Sequence, residues 1–435
     1  MSDTFRCLDE LCSFGVSDQL NSNPGFFRLG AEAIAYGRST FKPIDSPAAH
    51  LPDVLAKVYA DDGCVVLPFD PNEVISNFHL ERYVRRSQSI ANRLAHWSYY
   101  AMRPALPVSV RRYLQRARLR KARVTRFPRW PLDWTADQIS EQLLALSLSV
   151  RAMESTPFVA FWPDGVRSCA IMTHDVETET GLEFCTTLMD IDDSYAIKSS
   201  FQLVPEDRYL VTEDRLADFR ARGFEVNVHD LNHDGQLYHE ERRFRDRAKK
   251  INEYARAFAA QGFRSGAMYR NPDWYDAFEL VYDMSFPTAG HLEAQAGGCC
   301  TLRPYFINEL VELPLTTTQD YSLFHILGDY SIELWRRQID AIVERGGLIS
   351  FIVHPDYIIG RKARAVYEAL LAHLARLRDE GKIAIPLPRE IAEWWKQRKQ
   401  MKLVRQDDKW NIEGSGSERA RISHAHVDKN GCLYY

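Results

Sequence analysis

The chain has 435 residues, of which 45% are apolar and 26% charged, the balance of a soluble globular protein able to bury a large core, so one main domain with appendages is expected. Eight cysteines without a C-x-x-C spacing argue against a zinc ribbon or a disulfide framework, and Cys299-Cys300 reads as a buried or loop pair of thiols. The formal charge of −4 hides an asymmetry, since residues 82–132 hold fourteen Arg or Lys and no Asp or Glu, leaving 41 basic against 59 acidic residues elsewhere, a charge of −18.

The first 150 or so residues are turn-rich at 21–24 and 43–52, and lead into that basic stretch. Its interleaved aromatics, Trp97, Tyr99, Tyr100, Tyr113 and Trp130, suit an anionic surface such as lipid or a phosphorylated glycan carrier. The competing expectation is a basic helical arm docked on the acidic face of its own barrel. The amino terminus lacks a basic region followed by an apolar one, and no later run is long and apolar enough to span a bilayer, so a cytoplasmic location is expected.

From 165 to 397 the pattern is a repeated strand then helix. Strands are predicted at 169–173, 199–204, 224–228, 263–268, 309–315, 348–353 and 383–386. Helices are predicted at 212–222, 240–261, 332–345 and 362–380, where apolar residues recur every three or four positions. Polar residues gather just past the strand ends, as at the carboxyl-terminal rim of a barrel. The expected fold is α/β: an incomplete TIM-like (β/α)7 barrel at 165–397, preceded by a basic/helical extension at 1–160. After 397, short alternating runs at 401–404, 410–412, 420–422 and 433–435, separated by turn residues, predict a small β appendage at 398–435.

Three strand ends carry ionisable groups. Asp175 and Glu177, two apart after Ala-Ile-Met, point to one side if the chain stays extended. His229 and His233, four apart, fall on one side of a helical turn, a spacing that lets two imidazoles ligate one divalent ion; with one carboxylate they suit zinc or another first-row cation. His354 ends the run Leu-Ile-Ser-Phe-Ile-Val and is placed to serve as a general acid. Arg264 is placed to hold a carboxylate ionised. The His-Asp dipeptides at 174, 229 and 233 would also fit a phosphohydrolase of the HD type, but that class is all-helical, whereas 168–174 and 224–228 read as strands.

In order and context, Thr173-His-Asp175-Val, His229-Asp-Leu-Asn-His233, Arg264-Ser-Gly266 and Ile352-Val-His354 resemble the T-F-D-D, H-[ST]-x-x-H, R-x-P and L-x-H motifs of the polysaccharide deacetylases, the NodB-homology domain of carbohydrate esterase family four. The resemblance implies a metal-dependent hydrolase that removes N-acetyl groups from an amino-sugar glycan or glycan precursor in bacterial-type polysaccharide metabolism. By the same resemblance Asp175 is the general base, Arg264 orients it, His354 is the general acid, and His229 and His233 are metal ligands, with zinc the expected ion. The Tyr269 backbone N–H would help hold the oxyanion. Val176 stands where the family has a metal-binding aspartate, Gly266 where it has proline, and Asp230 where it has Ser or Thr. Glu177, or Asp175 itself, must therefore supply the carboxylate ligand, and Glu177 is preferred because Asp175 is assigned to proton transfer. The family's acid that tunes the last histidine is not placed by the motifs; Asp320 and Asp329 are the nearby candidates. Of the aromatics near the motifs, Tyr269, Trp274, Tyr275, Tyr305 and Tyr357 could stack on sugar rings, although core packing is the expectation for most. The implied partners are an acetylated amino-sugar or lipid-linked glycan and, through 82–129, an anionic inner membrane face; nucleic acid is not expected. The alternatives are a non-catalytic glycan-binding relative and a hydrolase of another non-peptide C–N bond.

Overall fold

The computed structural model describes residues 4–84 and 127–435. The basic segment assigned above to an anionic partner therefore lies almost wholly outside the described residues. The chain divides into two compact units, one of Val166–Ala296 with Leu302–Lys396, the other of Met1–Gly165, Gly297–Thr301 and Gln397–Tyr435.

The first unit is α/β. In chain order it contains β1 (Ser168–Val176), α1 (Glu179–Ser194), β2 (Ser200–Leu203), α2 (Glu213–Ala221), β3 (Glu225–His229), α3 (Glu241–Ala257), β4 (Gly262–Arg264), β5 (Tyr282–Asp283), β6 (Tyr305–Ile307), β7 (Leu310–Glu312), α4 (Glu333–Glu344), β8 (Leu348–Ile352), α5 (Arg361–Asp379) and β9 (Ile383–Ala384). Nine strands make one sheet in the order β6-β7-β5-β4-β3-β2-β1-β8, with β9 beside the start of β1. All pairings are parallel except β6 with β7. Every residue of β1 is buried, as in a strand covered on both faces, and its first half reads as an unbroken apolar run from Cys169 to Met172. The helices bury one stripe each; in α5 it runs through Val366, Leu370, Leu374 and Leu377.

The sheet curls into an incomplete barrel, and its last gap is bridged mainly by hydroxyls. After β7 the chain runs on beside β8, where Thr316 Oγ1 donates to the Leu348 carbonyl at 2.7 Å and accepts from the Ser350 N–H at 2.9 Å. Thr317 Oγ1 donates to the Ser350 carbonyl at 2.7 Å. Side chains here stand in for a regular ladder, so the two edges meet without a continuous strand pair. β5 and β6 were not foreseen from the sequence. The strand expected at 263–268 stops at Arg264, because Ala267 and Met268 take φ values of 54° and 55° and turn the chain out of the sheet.

Asp283 on β5 and Glu312 on β7 are register partners, and both are fully buried. Asp283 accepts from the Ser285 and Tyr275 hydroxyls at 2.6 and 3.0 Å, and Glu312 from the Phe286 N–H at 3.0 Å. Burial raises both above the usual carboxylate range, and the neighbouring Asp283 charge raises Glu312 further. The native state therefore keeps protons that the unfolded chain has lost, and its stability falls as pH rises through the interval between the unfolded and folded values. Glu312→Gln should gain on the parent in unfolding free energy as pH rises above the usual carboxylate range, by at least ~1 kcal/mol. A constant difference across that rise would show that the pair is not protonated in the fold.

In the second unit, the antiparallel strands Gly25–Leu29 and Ala33–Gly37 and the helices Pro71–His79 and Thr135–Val150 enclose a core containing Phe26, Phe27, Leu67, Phe69, Phe78 and Leu143. Strand Ser155–Val159 pairs with Ile422–Val427, which also pairs with Leu433–Tyr434, while Lys402–Gln406 and Lys409–Glu413 form a hairpin. The amino- and carboxy-terminal segments, read from sequence as two additions, thus share one unit. Cys299 and Cys300 are both buried. Among the described residues no helix is long and apolar enough to cross a membrane.

Candidate functional site

Parallel register carries the ionisable groups to one end of the sheet. Asp175 pairs with Gln202 across β1 and β2, and His229 with Arg264 across β3 and β4. Arg264, with no exposed surface, spans neighbouring elements: its Nε donates to the Met284 carbonyl at 3.0 Å, and one Nη donates at 2.8 Å to both Thr173 Oγ1 and Asp175 Oδ1. Thr173 Oγ1 in turn donates to the Phe351 carbonyl on β8 at 2.5 Å, which fixes the hydroxyl as an acceptor toward the arginine. Burial by itself would raise the Asp175 carboxyl, but the charges of Arg264, His229 and His354 outweigh it and hold the group below the usual range. Thr173, quoted with its motif, was given no role from the sequence; its parity with Asp175 on the strand was the available signal.

Glu177, just past β1, is the meeting point. Its Oε1 lies 2.9 Å from His233 Nε2, 3.7 Å from His229 Nε2 and 3.5 Å from His354 Nε2. Burial would raise this carboxyl also, yet the three imidazoles hold it well below the ordinary value. Asp175 stands further back, with Oδ2 3.9 Å from His229 Nε2.

His229 and His233 do not share a helical turn. His229 ends β3 and His233 lies in the loop that follows; the loop doubles back through left-handed residues, Asp230 at φ 56° and His233 itself at 55°, well before α3 begins. The two rings consequently sit with centroids 4.9 Å apart. His229 Nδ1 donates to the Arg264 carbonyl at 3.0 Å, leaving Nε2 to face the site. Arg208 clamps the loop from outside by donating to the carbonyls of Asn232 and His233 at 3.2 and 2.7 Å. Gly266 closes it from below. A Cβ at that position would stand 2.5 Å from Asp230 Oδ2 and 2.9 Å from His233 Cδ2, so the Asp230 and Gly266 departures noted in the sequence occupy one shared space.

The donor set fits a metal ion. Nε2 of His229 is buried without a hydrogen-bond partner, Nε2 of His233 faces Glu177 Oε1, and Glu177, His229 and His233 form a three-residue cluster of ligand atoms within 4.8 Å of one another. A tetrahedral ion with bonds of about 2.1 Å keeps its ligand atoms about 3.4 Å apart, and the distances from Glu177 to the two rings fall on either side of that value. Glu177, rather than Asp175, is the carboxylate in this cluster.

His354 faces the cluster from the end of β8. Asp320, fully buried, accepts at 2.7 Å from both the His354 backbone N–H and its Nδ1, so the ring presents Nε2 to Glu177. Burial disfavours the imidazolium, but the Asp320 and Glu177 carboxylates outweigh it and hold the ring well above the ordinary histidine value. Asp329 instead caps Ser331 at 3.0 Å. The Tyr269 N–H, expected at the oxyanion, already donates to the Gly266 carbonyl at 3.3 Å, because the tight turn after β4 uses it. Of the aromatics considered for sugar stacking, Tyr275 and Tyr305 are core residues, whereas Tyr357 lies against the His354 ring with centroids 4.7 Å apart.

No protein-family model matches the sequence, and no curated protein matches it. Solved structures do match. One is a chain from Mycobacterium smegmatis described as a polysaccharide deacetylase, 19% identical over 54% of this chain and 92% of that one, with a TM-score of 0.43. A peptidoglycan deacetylase from Bacillus subtilis is 13% identical over 53% and 93%, with a TM-score of 0.32. A family 4 acetyl xylan esterase from Clostridium thermocellum, in complex with a cobalt ion, is 14% identical over 52% and 91%, with a TM-score of 0.33. The likeness to these structures extends over about half of the chain, at low identity.

Proposed function

We propose that the chain is a metal-dependent hydrolase that removes N-acetyl groups from an amino sugar in a glycan or glycan precursor. The observation that carries this reading is the single Glu177 oxygen, lying within 4 Å of His229, His233 and His354 and flanked by an Asp175 carboxylate held by Arg264. Glu177, His229 and His233 would hold the ion, zinc by the chemistry of two imidazoles and one carboxylate; when bound, it supplies Lewis acidity toward the amide carbonyl and the attacking water.

The chain's own residues do the rest. Asp175, kept ionised by Arg264, takes the proton of the attacking water, and the same guanidinium fixes which of its oxygens is free to do so. His354, anchored through Nδ1 by Asp320, directs Nε2 inward to protonate the departing amine. Tyr357 beside that ring offers one face for a sugar. Acetate and a free amino sugar are the products.

Acetate released from a panel of N-acetylated sugars, abolished by chelation and restored by zinc, is the expected result. Glycan binding without acetate from any member of the panel, by protein that holds its metal, would reject the reading. The basic segment at 82–129 adds a peripheral contact with an anionic membrane at its cytoplasmic face, where a lipid-linked glycan would be met. Co-sedimentation with anionic vesicles that declines with salt is expected, and no binding even at low salt would leave the segment without that role.

A further inference from the structure

Behind the site, on the outer face of β1, lies a buried polar network that the reaction as described leaves unused. His174 has no exposed surface, and its Nδ1 donates to the Val353 carbonyl at 3.0 Å. Its Nε2 lies 3.3 Å from Asp192 Oδ2 on α1 and 3.4 Å from the Tyr367 hydroxyl on α5. Asp192, also fully buried, accepts from the Ser199 hydroxyl at 2.6 Å and the Tyr367 hydroxyl at 2.5 Å. Phe201 packs against the imidazole with centroids 4.9 Å apart. A fully buried histidine, aspartate, tyrosine and serine are costly to desolvate, and four polar groups within hydrogen-bond reach of one another hold one geometry far more strictly than apolar packing does.

The position of the network is what ties it to the site. The backbone ladder between β1 and β8 ends with the Val353 N–H donating to the Thr173 carbonyl at 3.0 Å. From there His174 takes over, since its side chain holds the Val353 carbonyl, the last peptide group before His354. His174 is also the chain neighbour of Asp175. One side chain thus couples the strand end bearing the proposed base to the strand end bearing the proposed acid, and α1 and α5 fix that side chain through Asp192 and Tyr367.

We infer that His174, seated by Asp192 and Tyr367, is a positioning residue that sets the separation of Asp175 and His354. This rests on the hydrolase reading for its catalytic consequence, but not for its structural one. His174→Phe keeps a ring against Phe201 and Tyr367 and removes the link to Val353. It should lower kcat about 10- to 100-fold, with KM within about twofold and metal content unchanged, because displacement rather than loss of a reacting group is the defect. The low-field N–H proton of His354 in its bond to Asp320, identified by its loss in His354→Gln, should shift or broaden in the same variant. Tyr367→Phe, which removes only a hydroxyl, should move both readouts in the same direction and less far, and it serves alone if His174→Phe does not fold. A folded variant with parental kcat and an unmoved His354 resonance would overturn the inference and leave the network a purely structural brace. If the parent releases no acetate, the hydrolase reading fails, and the resonance still decides the positioning claim.

Discussion

His229→Ala and His233→Ala are each expected to reduce bound divalent metal from about one ion per chain to near none, as read by elemental mass spectrometry after dialysis. Changing residues that merely support metal ligands costs about 10- to 100-fold in affinity, so loss of a ligand itself should exceed ~100-fold. Glu177→Ala should do the same, whereas Asp175→Ala should keep its metal, because Asp175 Oδ1 is committed to Arg264 and its other oxygen stands back from the rings. Gly266→Ala gives the supporting-residue result, a loss of about 10- to 100-fold, since its methyl group would press on Asp230 and on the His233 ring. Full occupancy in Glu177→Ala together with loss in Asp175→Ala would reverse the assignment of the two acids.

Asp175→Asn is the second substitution of large effect. The amide is nearly the same shape and can still accept from Arg264, but it cannot take a proton. Metal content and substrate affinity should be retained while kcat drops by about 10²- to 10⁴-fold, the usual contribution of a general base. His354→Gln should fall by a comparable factor for the acid half of the reaction. A variant at Asp175 that keeps kcat within tenfold of the parent would remove Asp175 from the proton transfer and leave Arg264 holding a structural ion pair.

The amino-acid sequence by itself determined a good part of this protein. An apolar run leading into Asp175 and Glu177, another ending at His229 and a third at His354 are local patterns: a strand buried on both faces is mostly apolar, and an ionisable group at its end calls for a partner or a role. Since parallel strands all emerge on one side, those endings also foretold that the groups would lie together. Helices α2 to α5 were legible from their own buried stripes, though α1 was not, and the strands after residue 401 from short alternating runs between turns.

What the tertiary structure alone decided is every contact whose partners are distant in the chain and carry no periodicity of their own. Asp320 rather than Asp329 became the partner of His354 because the segment after β7 passes beside β8, a matter of sheet order and not of composition. Asp230 and Gly266 are intelligible only together, as one space filled from one side. The pairing of Ser155–Val159 with Ile422–Val427 is of the same kind. The helical turn expected for His229 and His233 failed for a related reason: a spacing of four is equally satisfied by a loop that reverses through two left-handed residues, and the choice between them was made by the neighbouring strand β4 and the turn after it, the Arg264 carbonyl accepting from one ring and Gly266 making room for the other.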